Sequence, residues 1–229
     1  MANHQSKYFE FKNEIIENSF SLSEFYGWNG LIIMRLELRK NSKIKNDLII
    51  SKYFDISDKE KIIVTVGGEV EIKINNKNFV LKEFDALNLY SNNLEYEIES
   101  KTNSQIFIIS AKDLKPQEKD HVFFNFVKDI VPRDIWGGQC ISRVFYGEGL
   151  NLVLFDLKSG FKFHDKGHQN EQVTWVVKGE MDFYVKNLKK KLCAGLGVDI
   201  ADYDVHGGIS NGAIGFDAFY PKREEEKYK

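Results

Sequence analysis

A strand–turn–strand pattern that occurs twice constrains the fold of this chain more than any other feature of its sequence. Residues 65–72 (TVGGEVEI) match residues 176–183 (VVKGEMDF) at an offset of 111, and residues 84–87 match residues 197–200 at an offset of 113. In each copy a strand runs into a tight turn containing Gly and Glu, and the next strand alternates apolar and polar side chains. Self-similarity of this kind marks a repeated structural unit. The sequence therefore predicts two copies of one β domain.

Short runs of β-branched and aromatic residues dominate the chain from about residue 29 onward, and Gly, Asn or Asp separates them. Such runs are typical of the strands of a sandwich or barrel, so we predict an all-β fold. The clearest predicted strands are Leu31–Leu38, Ile62–Val66, Val70–Ile74, Leu152–Leu157, Val173–Val177 and Met181–Val185.

A largely polar stretch containing Pro116 and Pro132 separates the two copies. We predict an N-terminal domain over residues 1–113, a linker over 114–134 and a C-terminal domain over 135–229. The better candidates for helix are Ser21–Tyr26 and part of the linker.

Composition limits the classes of function. The 229 residues are 42% apolar, which is enough for one large core or two smaller ones, and the net charge of −2 gives no basic field that would attract nucleic acid. We expect no membrane contact and a cytoplasmic location, because no apolar run reaches about 18 residues and the N-terminus lacks a signal-peptide core. Cys140 and Cys193 are isolated, so both are predicted to be packing thiols. These features favour a small substrate.

The histidines indicate a metal site in the second copy. Three of the five histidines, His164, His168 and His206, lie within residues 164–206, and Glu171 and Gln172 stand between them. Several imidazoles with one oxygen donor suit a divalent first-row metal such as Zn, Ni, Fe or Mn. The two copies differ here, because no histidine occurs between His4 and His121 and the first copy therefore cannot assemble such a site. At the repeat offsets the counterparts of His168, Gln172 and His206 are Ser57, Lys61 and Asn93.

Side-chain alternation predicts which of these residues share a face. In an extended strand His164, Lys166 and His168 point to one side, and His206 approaches them from a neighbouring strand. That side is predicted to be the barrel interior, with Glu171 facing away as a reserve oxygen ligand.

Residues 160–206 resemble the signature of the cupin superfamily, in which Gly, a His pair, Glu or Gln, and Gly precede a later His. The whole chain resembles a bicupin, which implies two tandem cupin barrels of the jelly-roll (double-stranded β-helix) type. More narrowly, residues from about 135 to 226 are similar to pectin-degradation cupins of the KdgF type, which linearise unsaturated uronic acids. The segments that carry the narrower resemblance are Gly137–Gly138, Leu152–Leu154, His168–Gly179, Val205–Gly207 and Asp217–Glu224.

The KdgF-type resemblance implies roles for several residues of the second copy. Asp217 matches the family's acid–base aspartate, and Arg223 matches the arginine that clamps a substrate carboxylate. Alternation places Asp217 and Phe219 on one side of a strand, and Phe219 and Trp175 are predicted to form pocket walls.

One position departs from the family pattern, because Lys166 stands where the first histidine of a His-x-His pair is usual. Three arrangements are open. A bulge at Gly167 lets His164 take the missing ligand position; or His168, Gln172 and His206 hold the metal with water; or the Lys166 ammonium replaces the charge of the metal and binds an anionic substrate.

These observations predict a metal-dependent bicupin that acts on a small anionic sugar derivative or keto acid by a non-redox isomerisation or linearisation. Two other functions are open, namely an Fe-dependent dioxygenase and a non-enzymatic binding protein without metal. A single chain with two barrels is expected as a monomer or as a homodimer.

Overall fold

The computed structural model describes residues 5–12, 15–16, 19–45, 60–90, 96–112 and 120–223 of the chain. Within these ranges the chain forms strands joined by turns, and no helix is present. The described residues therefore contain no helix that could cross a membrane. The strands are β1 (Lys7–Glu10), β2 (Ile15–Ile16), β3 (Phe20–Tyr26), β4 (Leu31–Leu38), β5 (Lys43–Lys45), β6 (Lys61–Gly67), β7 (Val70–Ile74), β8 (Lys77–Leu81), β9 (Asp85–Leu89), β10 (Tyr96–Ser100), β11 (Ser104–Ala111), β12 (Val122–Asn125), β13 (Arg133–Ile135), β14 (Cys140–Tyr146), β15 (Asn151–Leu157), β16 (Lys162–Asp165), β17 (Glu171–Val185), β18 (Leu188–Cys193), β19 (Leu196–Ile200) and β20 (His206–Tyr220).

The described residues form two compact units. The N-terminal unit contains those of 12–26 and 32–129, and the C-terminal unit contains those of 1–11, 27–31 and 130–229. Residues 5–11 thus belong to the C-terminal unit, where β1 pairs antiparallel with β19. The predicted domain boundary places them in the N-terminal domain instead, because a repeat identifies the two copies but not which edge a flanking strand joins.

The N-terminal unit contains two sheets, one with strand order β5-β10-β7-β8 and one with strand order β12-β9-β6-β11-β4-β3-β2. Period-two alternation explains the first sheet. Val70, Ile72 and Ile74 of β7 are buried and pack in the core of this unit, whereas Glu71 and Lys73 point outward. Leu22, Leu36 and Ile63 of the second sheet enter the same core.

Two helix predictions are wrong where the structure describes the residues. Ser21–Tyr26 lies within β3, which pairs with β4 along its whole length, because pairing buries Leu22 in the core. The described part of the predicted linker, residues 120–134, contains β12 and β13, and β12 pairs with β9. Phe124 and Phe126 in this part are buried, whereas the side chains of a linker between domains are exposed. Residues 114–119 of the linker lie outside the described residues.

The C-terminal unit is a nine-stranded sheet with the order β1-β19-β17-β20-β15-β14-β13, in which β16 also pairs with β20 and β18 with β17. The 15-residue strands β17 and β20 pair with each other throughout. The first part of β17 pairs with β19 and its second part with β18, while β20 pairs first with β16 and then with β15. Each long strand therefore contributes to two layers, as in a jelly roll.

The long strands bend where two glycines meet. The register between β17 and β20 shifts on either side of Gly179, whose φ is +73° and whose Cβ, if it had one, would collide with the carbonyl oxygen of Gly212. Only glycine tolerates both the positive φ and the close approach of the Gly212 carbonyl oxygen. The Gly-Glu turn seen in the sequence is therefore the place where the long strands bend. The interior is lined by apolar side chains of β14, β15 and β17–β20, among them Phe155, Phe183, Val198 and Ala213.

Strand register refines the internal repeat. Lys61 pairs with Leu89 in the N-terminal unit as Gln172 pairs with Ile200 in the C-terminal unit. Both segments are therefore related by one offset of 111, and the predicted offset of 113 for the second segment is wrong. Ser57 and Asn93, the predicted counterparts of His168 and His206, lie outside the described residues.

Candidate metal centre and active-site cavity

Gly167 decides which residues before β17 face the interior. Its φ is +92°, and a Cβ there would collide with the backbone of Tyr203. This left-handed residue breaks the alternation of an extended strand. Phe163 and Asp165 line the interior cavity, and His168 is buried beyond the break.

The predicted face for this segment is therefore wrong. His164 and Lys166 are exposed on the other side, and neither lines the cavity. Nδ1 of His164 lies 2.6 Å from the Tyr184 hydroxyl, and the two rings stack. The prediction counted alternation straight through Gly167, whereas the break moves Asp165 to the interior in place of its neighbours.

Three side chains come together where β16 ends and where β17 and β20 begin, namely those of Asp165, His168 and His206. One potential ligand atom from each lies within 4.8 Å of the others, which makes this a candidate metal cluster within the described residues. Sequence reasoning identified both histidines but missed Asp165. The signal that could have revealed Asp165 is the Asp-x-Gly order, because the Asp165 carboxylate accepts a hydrogen bond from the Gly167 N–H at 2.8 Å and closes an Asx turn.

His206 stands at the start of β20 with one nitrogen already engaged. Its Nδ1 donates to the carbonyl oxygen of Asp204 at 2.8 Å, which leaves Nε2 as the nitrogen with a free lone pair. Ser6 donates to the Asp204 carboxylate at 2.6 Å, and Lys186 forms an ion pair with it. These partners fix the turn before β20, and therefore the direction of the His206 ring.

His168 belongs to a hydrogen-bonded chain that reaches the cavity floor. Its Nε2 donates to Oε1 of Gln172 at 2.8 Å, and Nε2 of Gln172 donates to the Asp217 carboxylate at 3.1 Å. The chain fixes the His168 tautomer with Nδ1 unprotonated. This Nδ1 atom is buried and has no hydrogen-bond partner among the described residues. A buried nitrogen lone pair of this kind is what a metal ligand would present.

The electrostatics of the cluster favour metal ligation. Burial, followed by the nearby positive charge of Arg223, lowers the pKa of His168 to about 4, and burial also lowers the pKa of His206. Both imidazoles are therefore neutral near pH 7, the form that coordinates. Burial alone would raise the pKa of Asp165, but His206, the Gly167 N–H and Arg223 outweigh it and lower that pKa. The group therefore offers two neutral nitrogens and one carboxylate.

Asp217 lies in the same cavity, on β20. Its carboxylate accepts hydrogen bonds from Thr174 at 2.5 Å and from Gln172 at 3.1 Å. Burial raises the pKa of Asp217 to about 6, against the opposing effect of these two donors. A carboxyl with a pKa this close to neutrality can both accept and return a proton.

Arg223 also reaches the cavity, from the segment after β20. Its guanidinium lies 3.6 Å from the Asp165 carboxylate and 5.6 Å from the centre of the Phe219 ring. Asn151 holds the Arg223 carbonyl oxygen, and Lys222 donates its backbone N–H to Gly149 at 2.8 Å. The arginine is therefore fixed at its backbone, with its charged end at the cavity.

The cavity has a volume of about 200 Å³ and combines this polar end with a long apolar wall. Phe219 lines it, as the alternation of β20 predicted, together with Asp217 and Gln172. Trp175 does not line it. The Trp175 side chain is fully buried and stacks on Phe216, so the structure places it in the core rather than at the pocket wall.

Glu171 faces away from the cavity, as the sequence predicted. Its carboxylate accepts hydrogen bonds from the backbone N–H groups of Asn29 and Leu31, both at 3.1 Å. Burial raises the pKa of Glu171 to about 7 against the effect of these donors. Glu171 therefore ties the segment 27–31 to β17 and is turned away from the metal cluster.

Comparisons with known proteins identify the fold. No protein-family model and no curated protein matches the sequence. Solved structures that match over most of the chain include AerE from Microcystis aeruginosa (TM-score 0.70, 14% identity, 91% of this chain and 95% of that chain). They also include a cupin 2 conserved barrel domain protein from Leptotrichia buccalis (0.65, 16%, 94% and 96%) and the oxalate decarboxylase formate complex from Lactobacillus farciminis (0.71, 10%, 96% and 89%).

Identities this low show the fold alone. The protein is an all-β chain with two tandem cupin barrels of the jelly-roll type, and this prediction is confirmed. The candidate metal cluster lies in the C-terminal barrel.

Proposed function

We propose that the C-terminal barrel binds a divalent first-row metal and moves a proton on a small carboxylic acid held beside it. The observation that carries this proposal is the convergence of three kinds of group on one cavity. Asp165 and His206 of the His–His–carboxylate cluster, an acid with a pKa of about 6 and an arginine all line it, and His168 is buried beside them.

The donor set fits a metal. Two neutral imidazoles and one carboxylate suit a divalent first-row metal such as Zn, Ni, Fe or Mn. The buried Nδ1 of His168, which lacks a hydrogen-bond partner among the described residues, and Nε2 of His206 would be the nitrogen ligands. When bound, the metal would supply a Lewis acid that polarises a carbonyl or hydroxyl oxygen of the substrate.

The protein groups would carry the rest of the reaction. The Arg223 guanidinium would hold the substrate carboxylate. The Asp217 carboxylate would take a proton from the carbon beside the substrate carbonyl. The electron pair of the broken C–H bond would form the C=C bond of an enolate, and the carbonyl π pair would move to the oxygen. Asp217 would then return the proton at another atom, which gives an isomer and consumes no co-reactant. The Thr174 and Gln172 donors keep Asp217 oriented through both transfers.

The sequence resemblance to KdgF-type cupins supports this non-redox chemistry and suggests a uronate or a keto acid as substrate. Tautomerisation of a keto acid removes a proton from the carbon beside its carbonyl, whereas ring opening of an unsaturated uronate takes the anomeric hydroxyl proton and adds a proton to the alkene carbon that then lies beside the new carbonyl. One acid–base carboxyl could serve either reaction.

Metal analysis of matched histidine variants tests the metal site. We expect near-stoichiometric metal in the wild type and in His164→Ala, whose side chain is exposed, and loss of metal in His168→Ala and His206→Ala. Asp165→Asn should weaken binding. Equal metal content in His164→Ala and His168→Ala would show that the cluster is not a metal site. Thermal unfolding of each variant separates loss of metal from loss of fold.

Hydrogen exchange tests the proton transfer. In D₂O, the wild type should exchange the protons beside the carbonyl of a keto acid such as phenylpyruvate, measured by NMR above the uncatalysed rate. Asp217→Asn should keep its metal and lose at least about 100-fold of this rate, the usual scale of general-base catalysis. An unchanged rate in Asp217→Asn would remove Asp217 from the mechanism.

One observation favours a second candidate function. Two histidines and one carboxylate are also the ligand set of Fe(II) oxygenases. An oxygen electrode distinguishes the two, because the Fe-loaded protein should consume O₂ with its acid substrate only if it is an oxygenase.

A further inference from the structure

The polar groups of the cavity described above occupy one end of it, and the remaining wall is a continuous row of aromatic rings. The row runs from Trp136 to Phe161, Phe163, Phe183 and His206, with centroid spacings of 5.1, 6.1, 5.9 and 6.2 Å. His206 belongs to the metal cluster, so the row leads to the reacting end. Nothing in the proposed chemistry requires such a wall.

Trp136 forms the outer end of this row. It is 60% exposed although it is the largest side chain that lines the cavity. Its backbone has a φ of +79°, and Gly137 and Gly138 after it also have positive φ. A bulky residue in the left-handed region is uncommon, and here the tight turn between β13 and β14 directs the indole over Phe161. The geometry therefore keeps a large apolar ring at the opening of the cavity.

Few hydrogen-bonding groups lie along this wall. Away from the polar end, the polar side-chain groups of the lining residues are the Trp136 indole N–H, the Ser142 hydroxyl and the Cys140 thiol, and a thiol is a weak donor. A uronate has a hydroxyl on most of its carbons, and each hydroxyl buried without a partner lowers affinity by about tenfold. A hydrocarbon ring would instead be held by stacking and by burial of apolar surface.

The cavity volume sets the size of the ligand. An apolar cavity of about 150 Å³ accommodates benzene, and this cavity has about 200 Å³ with Arg223 at its polar end. One six-membered ring with a short acid chain matches both the volume and the two kinds of lining. A bicyclic body would have to extend out through the opening beside Trp136.

From these observations we infer that the cavity takes a carboxylic acid with a single aromatic or unsaturated six-membered hydrocarbon ring, and that Trp136 selects for this ring. The inference rests on the proposed function, since it assumes that the cavity holds a small carboxylate. Within that function it favours a ring-bearing keto acid over a uronate.

Binding of two acids of equal charge tests the inference. We would titrate the full-length protein with 3-phenylpropionate and with D-glucuronate by calorimetry, and follow tryptophan fluorescence. We expect 3-phenylpropionate to bind at least about tenfold more tightly and to change the Trp136 emission. Trp136→Ala should weaken its binding by about tenfold, and Trp136→Phe by less, because a ring is retained. Val131→Ala, at an exposed residue that does not line the cavity, should bind as the wild type does.

Three results would overturn the inference: tighter or equal binding of glucuronate, no binding of either acid at millimolar concentration, or unchanged affinity in Trp136→Ala. Metal content measured on the same samples keeps the two proposals apart. If the wild type holds metal that His168→Ala loses, but the wild type does not prefer 3-phenylpropionate, only the ring inference is refuted. A clear preference in a wild type that binds no metal refutes only the metal proposal.

Discussion

Neutralising Asp199 should stabilise the C-terminal unit at alkaline pH. Asp199 is fully buried on β19, on the side of the sheet that faces away from the cavity. Its charged neighbours there are Glu171, which raises the pKa of Asp199, and Lys7, which lowers it. Burial is the largest cause, and together these effects raise the pKa of Asp199 from 3.8 to about 7. The Asp199→Asn substitution keeps the shape of the side chain and removes the ionisation.

The sign follows from the raised pKa in the folded state. Below about pH 3 Asp199 is neutral in both states, so its ionisation does not affect stability there. As the pH rises, the unfolded chain ionises first and its free energy falls, which destabilises the folded state until the folded carboxyl also ionises near pH 7. Each tenfold change in proton affinity is worth 1.36 kcal/mol. The free energy of unfolding of Asp199→Asn, relative to wild type, should therefore rise by about 3 kcal/mol between pH 4.5 and pH 8 and level off above pH 7.

Tryptophan fluorescence in urea measures this difference in the relevant unit. All three tryptophans, Trp28, Trp136 and Trp175, belong to the C-terminal unit, so their emission reports its unfolding. The experiment uses metal-free protein, so that metal binding does not vary with pH. Asp182→Asn, at an exposed aspartate of the same unit, is the matched control and should show no such rise. A relative stability of Asp199→Asn that stays flat or falls with pH would refute the reasoning.

Three further substitutions test the packing around the cavity. Gly167→Ala should lower the free energy of unfolding by more than about 1 kcal/mol and reduce metal content, because it forces a Cβ against the Tyr203 backbone; thermal unfolding and metal analysis check this. Thr174→Val should cost about 1–3 kcal/mol by removing a buried donor to Asp217, measured by urea unfolding. Trp175→Ala should cost about 3–5 kcal/mol in the same assay, whereas unchanged stability would contradict its placement in the core.

The fold could be predicted well because its strongest signals are local. Alternating residues such as those of Val70–Ile74 and the repeated Gly-Glu turn depend only on neighbours in sequence. Predictions failed where distant pairing decides. Ser21–Tyr26 becomes a strand only because β4 lies beside it, and β12 forms because β9 offers an edge. No local pattern distinguishes these segments from a helix or a linker.

The candidate site shows the same division. The chain spacing of His168 and His206 pointed to a cluster, and alternation placed Asp217 and Phe219 on one wall. Asp165 was missed because one positive φ at Gly167 reverses the face of every residue before it. Asp165 faces the interior in place of the predicted His164. The two residues are neighbours in sequence, yet this difference decides which side chain can reach a metal.

The pairing of β1 with β19 has a consequence for how the protein is made. Lys7 lies opposite Asp199, so β1 leaves the ribosome about 190 residues before its partner. At synthesis rates of about 5–20 residues per second, that interval is roughly 10–40 s. During this time β1 has no strand to pair with in its own unit, which cannot close until β19 has been synthesised. A gene fragment cut at the sequence repeat would lack both β1 and the segment 27–31 and would leave the edge of β19 open to other chains.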